Sequence, residues 1–237
     1  MGIGSGGDIK YSGEGVAVEI LKKSNNHPFT VFDVGGNQGQ FISLVSSIIP
    51  LEIDEIKIHS FEPSKHTFDI LFQNFSENDA VVLNHFGLGD KDEQKDLYYP
   101  FLGTGYASLT QRETGHLGLV FNEHEQVDIK ILDDYCDNNS IGKIDLLKID
   151  VEGHELNVLN GARKMFNRSR IGMVMFEFGG AHVDARAYFK DFYNFFAQYN
   201  MSIYRVTPSG YLYPITKYTD SCEQFVDSNY LAISSVN

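Results

Sequence analysis

The run Val31-Phe32-Asp33-Val34-Gly35-Gly36-Asn37-Gln38-Gly39-Gln40-Phe41 restricts the fold more than any other stretch. A β-branched and aromatic segment enters a turn with three glycines, after which apolar residues recur at helical spacing at Phe41, Leu44, Val45 and Ile48. This order reads as strand, tight turn and helix, because glycine adopts backbone conformations that side chains resist. Such a turn also lets a ligand come close to the backbone.

The alternation continues along the chain. Residues 29–34, 56–61, 80–86, 144–149 and 171–178 read as strands, mostly too apolar to be half-exposed. Between them Phe68, Leu71 and Phe72, then Leu156, Val158, Leu159 and Met165, fall at helical spacing. Strands of that kind separated by helices imply a parallel sheet covered on both faces. Past Asp90, a charged turn, strand candidates at 97–101 and 127–131 and a glycine-bearing segment at 103–109 read as an insertion over 91–131, near where an acceptor would bind. A helix at 184–199 and strands at 202–206 and 230–234 then predict a closing antiparallel pair, with one reversed strand at the sheet edge. At 237 residues one α/β domain is expected, with 1–28 as an N-terminal lid and helix region.

The formal charge of -13, from 32 acidic and 19 basic residues, argues against a nucleic-acid or anionic-membrane partner. Cys136 and Cys222 are too few and too far apart for a disulfide scaffold or a Cys-x-x-Cys site, which fits a reducing compartment. Residues 1–10 are glycine-rich and polar and lack a signal-peptide core, so a cytoplasmic location is expected. The most apolar stretch, 41–51, is broken by serines and a proline and is shorter than the ~20 residues of a membrane span.

A dinucleotide fingerprint needs glycine two positions after Gly35, where this chain has Asn37, and Asp33 closes the strand instead. A carboxylate ~4 Å from a pyrophosphate costs on the order of 4 kcal/mol per charge pair near a surface, whereas a sulfonium or ammonium is attracted to it. Both departures weaken the alternative of a nucleotide-cofactor oxidoreductase. Glu62, at the carboxyl end of the second strand, can accept hydrogen bonds from vicinal ribose hydroxyls, and Ser64 can cap the next helix. Small residues in Phe86-Gly87-Leu88-Gly89-Asp90 would let an adenine edge lie against backbone, with Asp90 as an acceptor.

Several pieces together resemble the FkbM family of S-adenosylmethionine-dependent methyltransferases. They are Ser12-Gly13-Glu14, Asp33-Val34-Gly35 with Asn37 and Gly39, Phe61-Glu62-Pro63, Leu88-Gly89-Asp90, Leu132-Asp133-Asp134 and above all Asp145-Leu146-Leu147-Lys148-Ile149-Asp150-Val151-Glu152-Gly153-His154-Glu155-Leu156. The resemblance implies a Rossmann-like class I methyltransferase fold with a mostly parallel seven-stranded sheet and S-adenosylmethionine as donor. It implies transfer mainly to hydroxyl oxygens of sugars or secondary metabolites, so the expected partner is a small-molecule or glycan acceptor. Donor-binding residues would then be Glu14, Asp33, Gly35, Asn37, Gly39, Gln40, Phe41, Glu62, Pro63, Leu88, Gly89, Asp90 and Asp150. Gly36 departs from the alanine common in the family, a change expected to leave the turn unaltered.

Methyl transfer needs alignment above all, worth ~7 to 11 kcal/mol, and a base for the hydroxyl proton adds ~10² to 10⁴ in rate. Ligands of open α/β sheets sit beyond the carboxyl ends of the strands, which brings Asp150 and Glu177 to one crevice, with Glu152 and His154 on the following turn. Asp150 or His182 is the expected base or acceptor-orienting group. Glu152 and Glu177 would bind acceptor hydroxyls or the donor's amino acid part, and His154 is either catalytic or a helix-surface residue. Asp133 and Asp134 are expected to start a helix. A divalent cation on Asp150, Glu177 and His182 is the less favoured chemistry. Residues 11–14 could close over the donor, and 103–109 form a second acceptor loop. N-methylation and a catalytically silent nucleoside-binding module are the remaining alternatives.

Overall fold

The computed structural model describes residues 12–24 and 28–235. Its helices are α1 (Gly15–Lys23), α2 (Gln40–Ile48), α3 (Lys65–Phe75), α4 (Leu132–Asn138), α5 (Glu155–Asn160), α6 (Arg163–Asn167), α7 (Ala181–Ala185) and α8 (Phe189–Gln198). Its strands are β1 (Phe29–Val34), β2 (Ile56–Phe61), β3 (Val81–Asn84), β4 (Gly87–Gly89), β5 (Glu93–Tyr99), β6 (Glu123–Ile131), β7 (Ile144–Ile149), β8 (Ile171–Phe178), β9 (Met201–Val206), β10 (Leu212–Ile215) and β11 (Ser228–Ser234).

The main sheet has eight strands in the order β10-β9-β11-β8-β7-β1-β2-β3. Strands β3, β2, β1, β7 and β8 are parallel, as their apolar sequences require. β11 runs antiparallel to both β8 and β9, and β10 antiparallel to β9. Two expectations are thereby corrected. The sheet has eight strands rather than seven, and two strands are reversed rather than one, β10 at the edge and β11 in the interior. The reason is in β11 itself, whose first five residues are all buried and so demand a neighbour on either side.

Period-two alternation in β1 sends Phe32 and Val34 into one apolar cluster, shared with α4, α5, α6 and α8, and Phe29 and Val31 into the other, shared with α1 and α2. Asp33 alternates onto the second face and is fully buried there. The strand expected over 80–86 ends at Asn84, and Gly87–Gly89 leaves the main sheet to pair with β6. With β5 they make a separate three-stranded sheet, to which the 91–131 segment contributes its two ends, β5 and β6. The helix expected over 184–199 is interrupted: α7 ends at Arg186 in the left-handed region (φ 54°), and α8 starts afresh at Phe189. Among the described residues no helix is long and apolar enough to cross a membrane.

Candidate active site

A cavity of about 640 Å³ opens beyond the carboxyl ends of β1, β2, β7 and β8. One side is the glycine turn. Gly35 and Gly36 both donate to the Phe61 carbonyl at the end of β2, at 3.0 and 2.9 Å. Gly35 has φ +83°, and a Cβ there would run into the backbone carbonyl of Asp150; Gly39, at φ +93°, is packed against the Phe75 ring. The glycines therefore admit neighbouring protein, and the ligand meets the backbone this packing leaves open. Asn37 follows in the left-handed region (φ 46°), its N–H donating to Glu62 Oε2 at 2.9 Å. Glu62 Oε1 accepts from Ser64 N at 2.9 Å. Burial pushes the Glu62 carboxyl up to about 7 despite these two donors.

Sheet register places Lys148 of β7 directly beside Asp33 of β1. Its Nζ lies 3.2 Å from Asp33 Oδ1 and 3.7 Å from Asp150 Oδ2, and donates to the Gly35 carbonyl at 3.2 Å. Burial works against this ammonium, but Asp33, Asp150 and Glu14 outweigh it and hold Lys148 above its ordinary value. Asp33 is fully buried and outside the cavity lining, which Lys148 reaches.

The opposite end is acidic. Asp150, Glu152 and Glu177 each place a carboxylate oxygen within 4.8 Å of the others. Burial, then Asp150, then Glu152, raise Glu177 well above the carboxylate range. Glu152 is pushed up to about 8, first by burial and then by Asp150, against the pull of Arg112. Arg112 Nη1 sits 2.7 Å from Glu152 Oε2, within hydrogen-bond distance. Asp227 also lines this end, its Oδ1 accepting from Gly180 N at 2.9 Å.

Of the other expected site residues, Glu14, Gln40, Phe41, Pro63, Leu88 and His154 line the cavity. His154 is buried rather than on a helix surface, and desolvation pushes its imidazole down to about 4. Gly39, Gly89, Asp90 and His182 are outside the lining. Asp90 accepts from Asn157 Nδ2 at 3.2 Å through Oδ1. His182 is 2% exposed: Nδ1 accepts from Gly179 N at 3.2 Å, and Nε2 lies 2.9 Å from Glu155 Oε2 at a bent angle. Buried and away from the cavity lining, it is not placed to serve as a base there, and Glu152 takes its place in the trio that could hold a cation.

The expected Ser64 cap changes, and Asp133 starts its helix as expected but also caps another. Ser64 precedes α3, but its hydroxyl donates to Glu125, which also accepts from Lys65 N. Asp133 does lie in the first turn of α4, yet its carboxylate caps α6 through Lys164 N and Met165 N. Of the lid expected at 11–14, Tyr11 is outside the described residues, as are 1–10 and 25–27 of the N-terminal region; Glu14 is held by Asn229 Nδ2 at 3.3 Å. Residues 103–107 and Leu109 line the cavity, and a side chain at Gly105 would come within 3.6 Å of Asn37. Gly36 is less innocent than expected, because a Cβ there would strike the Ser60 hydroxyl that donates to Asp33. Sequence reasoning missed Lys148, Arg112 and Asp227. A lysine in an otherwise apolar strand was the available signal for the first.

The family model described as "Methyltransferase FkbM domain" matches residues 33–203. The 2-O-methyltransferase NoeI of Sinorhizobium fredii is 23% identical over 163 residues, covering 65% of this chain and 64% of its own. The hexuronic acid methyltransferase AglP of Haloferax volcanii is 24% identical over 153 residues, covering 63% and 56%. The chain spans less than two thirds of the length of the curated relatives it matches, between 56% and 64%. A crystal structure of Methyltransferase FkbM from Methylobacillus flagellatus superposes with a TM-score of 0.50 at 13% identity, over 91% of this chain and 47% of that one, a likeness of fold.

Proposed function

Since the chain belongs to the FkbM methyltransferase family, we propose that it methylates a hydroxyl oxygen on a sugar or glycosylated metabolite, with S-adenosylmethionine as donor. The observation that carries this reading is one cavity with a nucleoside-compatible end at Glu62 and an acidic end at Asp150, Glu152 and Glu177. The donor fits the residues present. The glycine turn, Asn37, Glu62, Pro63 and Leu88 would hold the nucleoside, and Asn37 Oδ1 is a buried acceptor without a partner. Glu14 and Asp150 would face its cationic end, with Lys148 close enough to take the carboxylate. When bound, the donor supplies an electrophilic methyl carbon whose bond to sulfur breaks as the bond to oxygen forms.

Asp150 receives the proton of the acceptor hydroxyl. Its side chain is 40% exposed, unlike those of its buried neighbours, and is open to an incoming group. Glu177, its carboxyl raised by burial and by Asp150, donates or accepts a hydrogen bond to a second hydroxyl. Tyr106, on the loop over the cavity, is half-exposed and offers a ring face to a sugar. The relatives NoeI and AglP, one a 2-O-methyltransferase and the other a hexuronic acid methyltransferase, support oxygen as the acceptor atom and a sugar as its carrier.

Parallel calorimetric titrations with S-adenosylmethionine, S-adenosylhomocysteine and NADH test the donor, followed by methyl transfer to a panel of glycosides and aglycones. Binding of the two sulfur nucleosides and transfer to glycosides is expected, with Asp150→Asn lowering kcat by ~10² to 10⁴. Binding of NADH alone would sink the donor assignment, and transfer only to amines would sink the hydroxyl one.

A further inference from the structure

The turn between β7 and α5 holds two successive residues in the left-handed region, Glu152 at φ 52° and Gly153 at φ 102°. A non-glycine residue stays there only where its surroundings dictate it. What dictates it lies just past the turn. The Glu155 carboxylate folds back and accepts from Val151 N at 2.9 Å and from Gly153 N at 3.0 Å, so one side chain satisfies the turn's inward-facing donors. Glu155 is 1% exposed. Its second neighbour is His182, with Nε2 2.9 Å from Oε2. The imidazole is fixed in turn by Gly179 N and by the rings of Phe178 and Phe192, with centroids at 4.6 and 5.5 Å.

Neither Glu155 nor His182 lines the cavity, but Asp150, Val151, Glu152 and His154 all do. A buried ionisable pair adds little stability over an apolar pair of similar volume. A carboxylate can, however, grip two backbone N–H groups at once, which an apolar side chain cannot. We propose that Glu155 and His182 are positioning residues: they fasten the 150–153 turn to the β8–α7 junction, so that Asp150 and Glu152 face the cavity at a fixed angle. The far side of the turn is held by Ser108, whose hydroxyl donates to the Glu152 carbonyl at 2.7 Å, so the turn is gripped from both sides.

The inference rests on the cavity being the S-adenosylmethionine site, and its test separates the two. S-adenosylmethionine is titrated calorimetrically into the wild type, Asp150→Asn, Glu155→Ala and the double variant, with thermal melts to show that each is folded. Each single change is expected to weaken binding about tenfold, and the double variant to be no more than about threefold weaker than the worse single, because both remove one aligned group. Glu155→Gln keeps an oxygen for the two N–H groups and is expected within about threefold of wild type. A merely structural role would lower the melting temperature and leave the Kd of the folded protein alone. The proposal falls if Glu155→Ala or Asp150→Asn binds like wild type, or if the two losses multiply to about a hundredfold. Should Glu155→Ala not fold, His182→Ala takes its place in the cycle under the same criteria. A wild type that does not bind S-adenosylmethionine would overturn the donor reading, and this inference with it.

Discussion

The two ends of the cavity are built by different means. At the nucleoside end, positions are set by the sheet: Lys148 meets Asp33 through strand register, and Glu62 is clasped by two backbone N–H groups at the end of β2. At the acidic end, Asp150, Glu152, Glu177 and Asp227 arrive from a turn, a strand and a loop, with Arg112 paired to Glu152 and Lys148 near Asp150. The first end is fixed by hydrogen-bonded backbone, whereas the second is a compromise among carboxylates whose protonation can adjust. The first should therefore be brittle to substitution and the second tolerant.

The sharpest break is expected from Gly35→Ala, which drives a methyl group into the Asp150 carbonyl at a positive φ. A loss above about 4 kcal/mol in urea unfolding is anticipated, since neither backbone can yield cheaply. Lys148→Met leaves Asp33 fully buried without its cation and should cost about 3 to 5 kcal/mol by the same measurement. Arg112→Met tests the tolerant end. Glu152, already at about 8, can take a proton, so a loss of only about 1 to 2 kcal/mol is expected at pH 7. Equal losses for the lysine and the arginine would erase the contrast.

The pH dependence sharpens it further. Glu62 at about 7 and Glu152 at about 8 hold protons in the folded state that the unfolded chain releases near its ordinary carboxylate value of 4.5. Folding stability should thus fall as pH rises from about 5 to 8, by at least about 1.4 kcal/mol, the equivalent of one pKa unit on one group. Glu155 has the opposite sign: despite burial, His182 and the backbone donors hold it low, so its contribution is present above the ordinary value and is lost only in acid below it. Urea midpoints across this range that rise with pH would contradict the assignment. The smallest effect is expected for Gly36→Ala, under about 1 kcal/mol, because the obstructing Ser60 hydroxyl can rotate away.

This contrast also marks what could be read in the sequence. The glycine turn, Glu62 and Asp150 were legible because strand, turn and helix are local patterns and strand ends gather at one edge. The partner of Asp33 was not, because residues 33 and 148 meet only through a register chosen by the whole sheet. His182 read as a loop residue after two glycines, yet its ring is taken into the core by Phe178 and Phe192, and Phe192 belongs to a different helix. Arg112 lies in a segment without periodicity, and only the folded insertion brings it to Glu152. The break at Arg186 was hidden because the apolar spacing runs on across it. The interior place of β11 was missed because alternation tells which residues are buried but not how many neighbours a strand has.

That interior place bears on how the protein comes to exist. Ribosomes deliver β8 and β9 before β11, and at ~5–20 residues per second the wait from the end of β8 to the end of β11 is roughly 3 to 11 seconds. For that interval β8, and from residue 206 onward β9 as well, stands with the edge destined for β11 unpaired, the surface on which nascent chains pair with one another. Yield in a translating cell is then governed by how well chaperones cover this gap, and a stall codon placed between residues 206 and 228 should send the product into aggregates while the same pause after 235 should not.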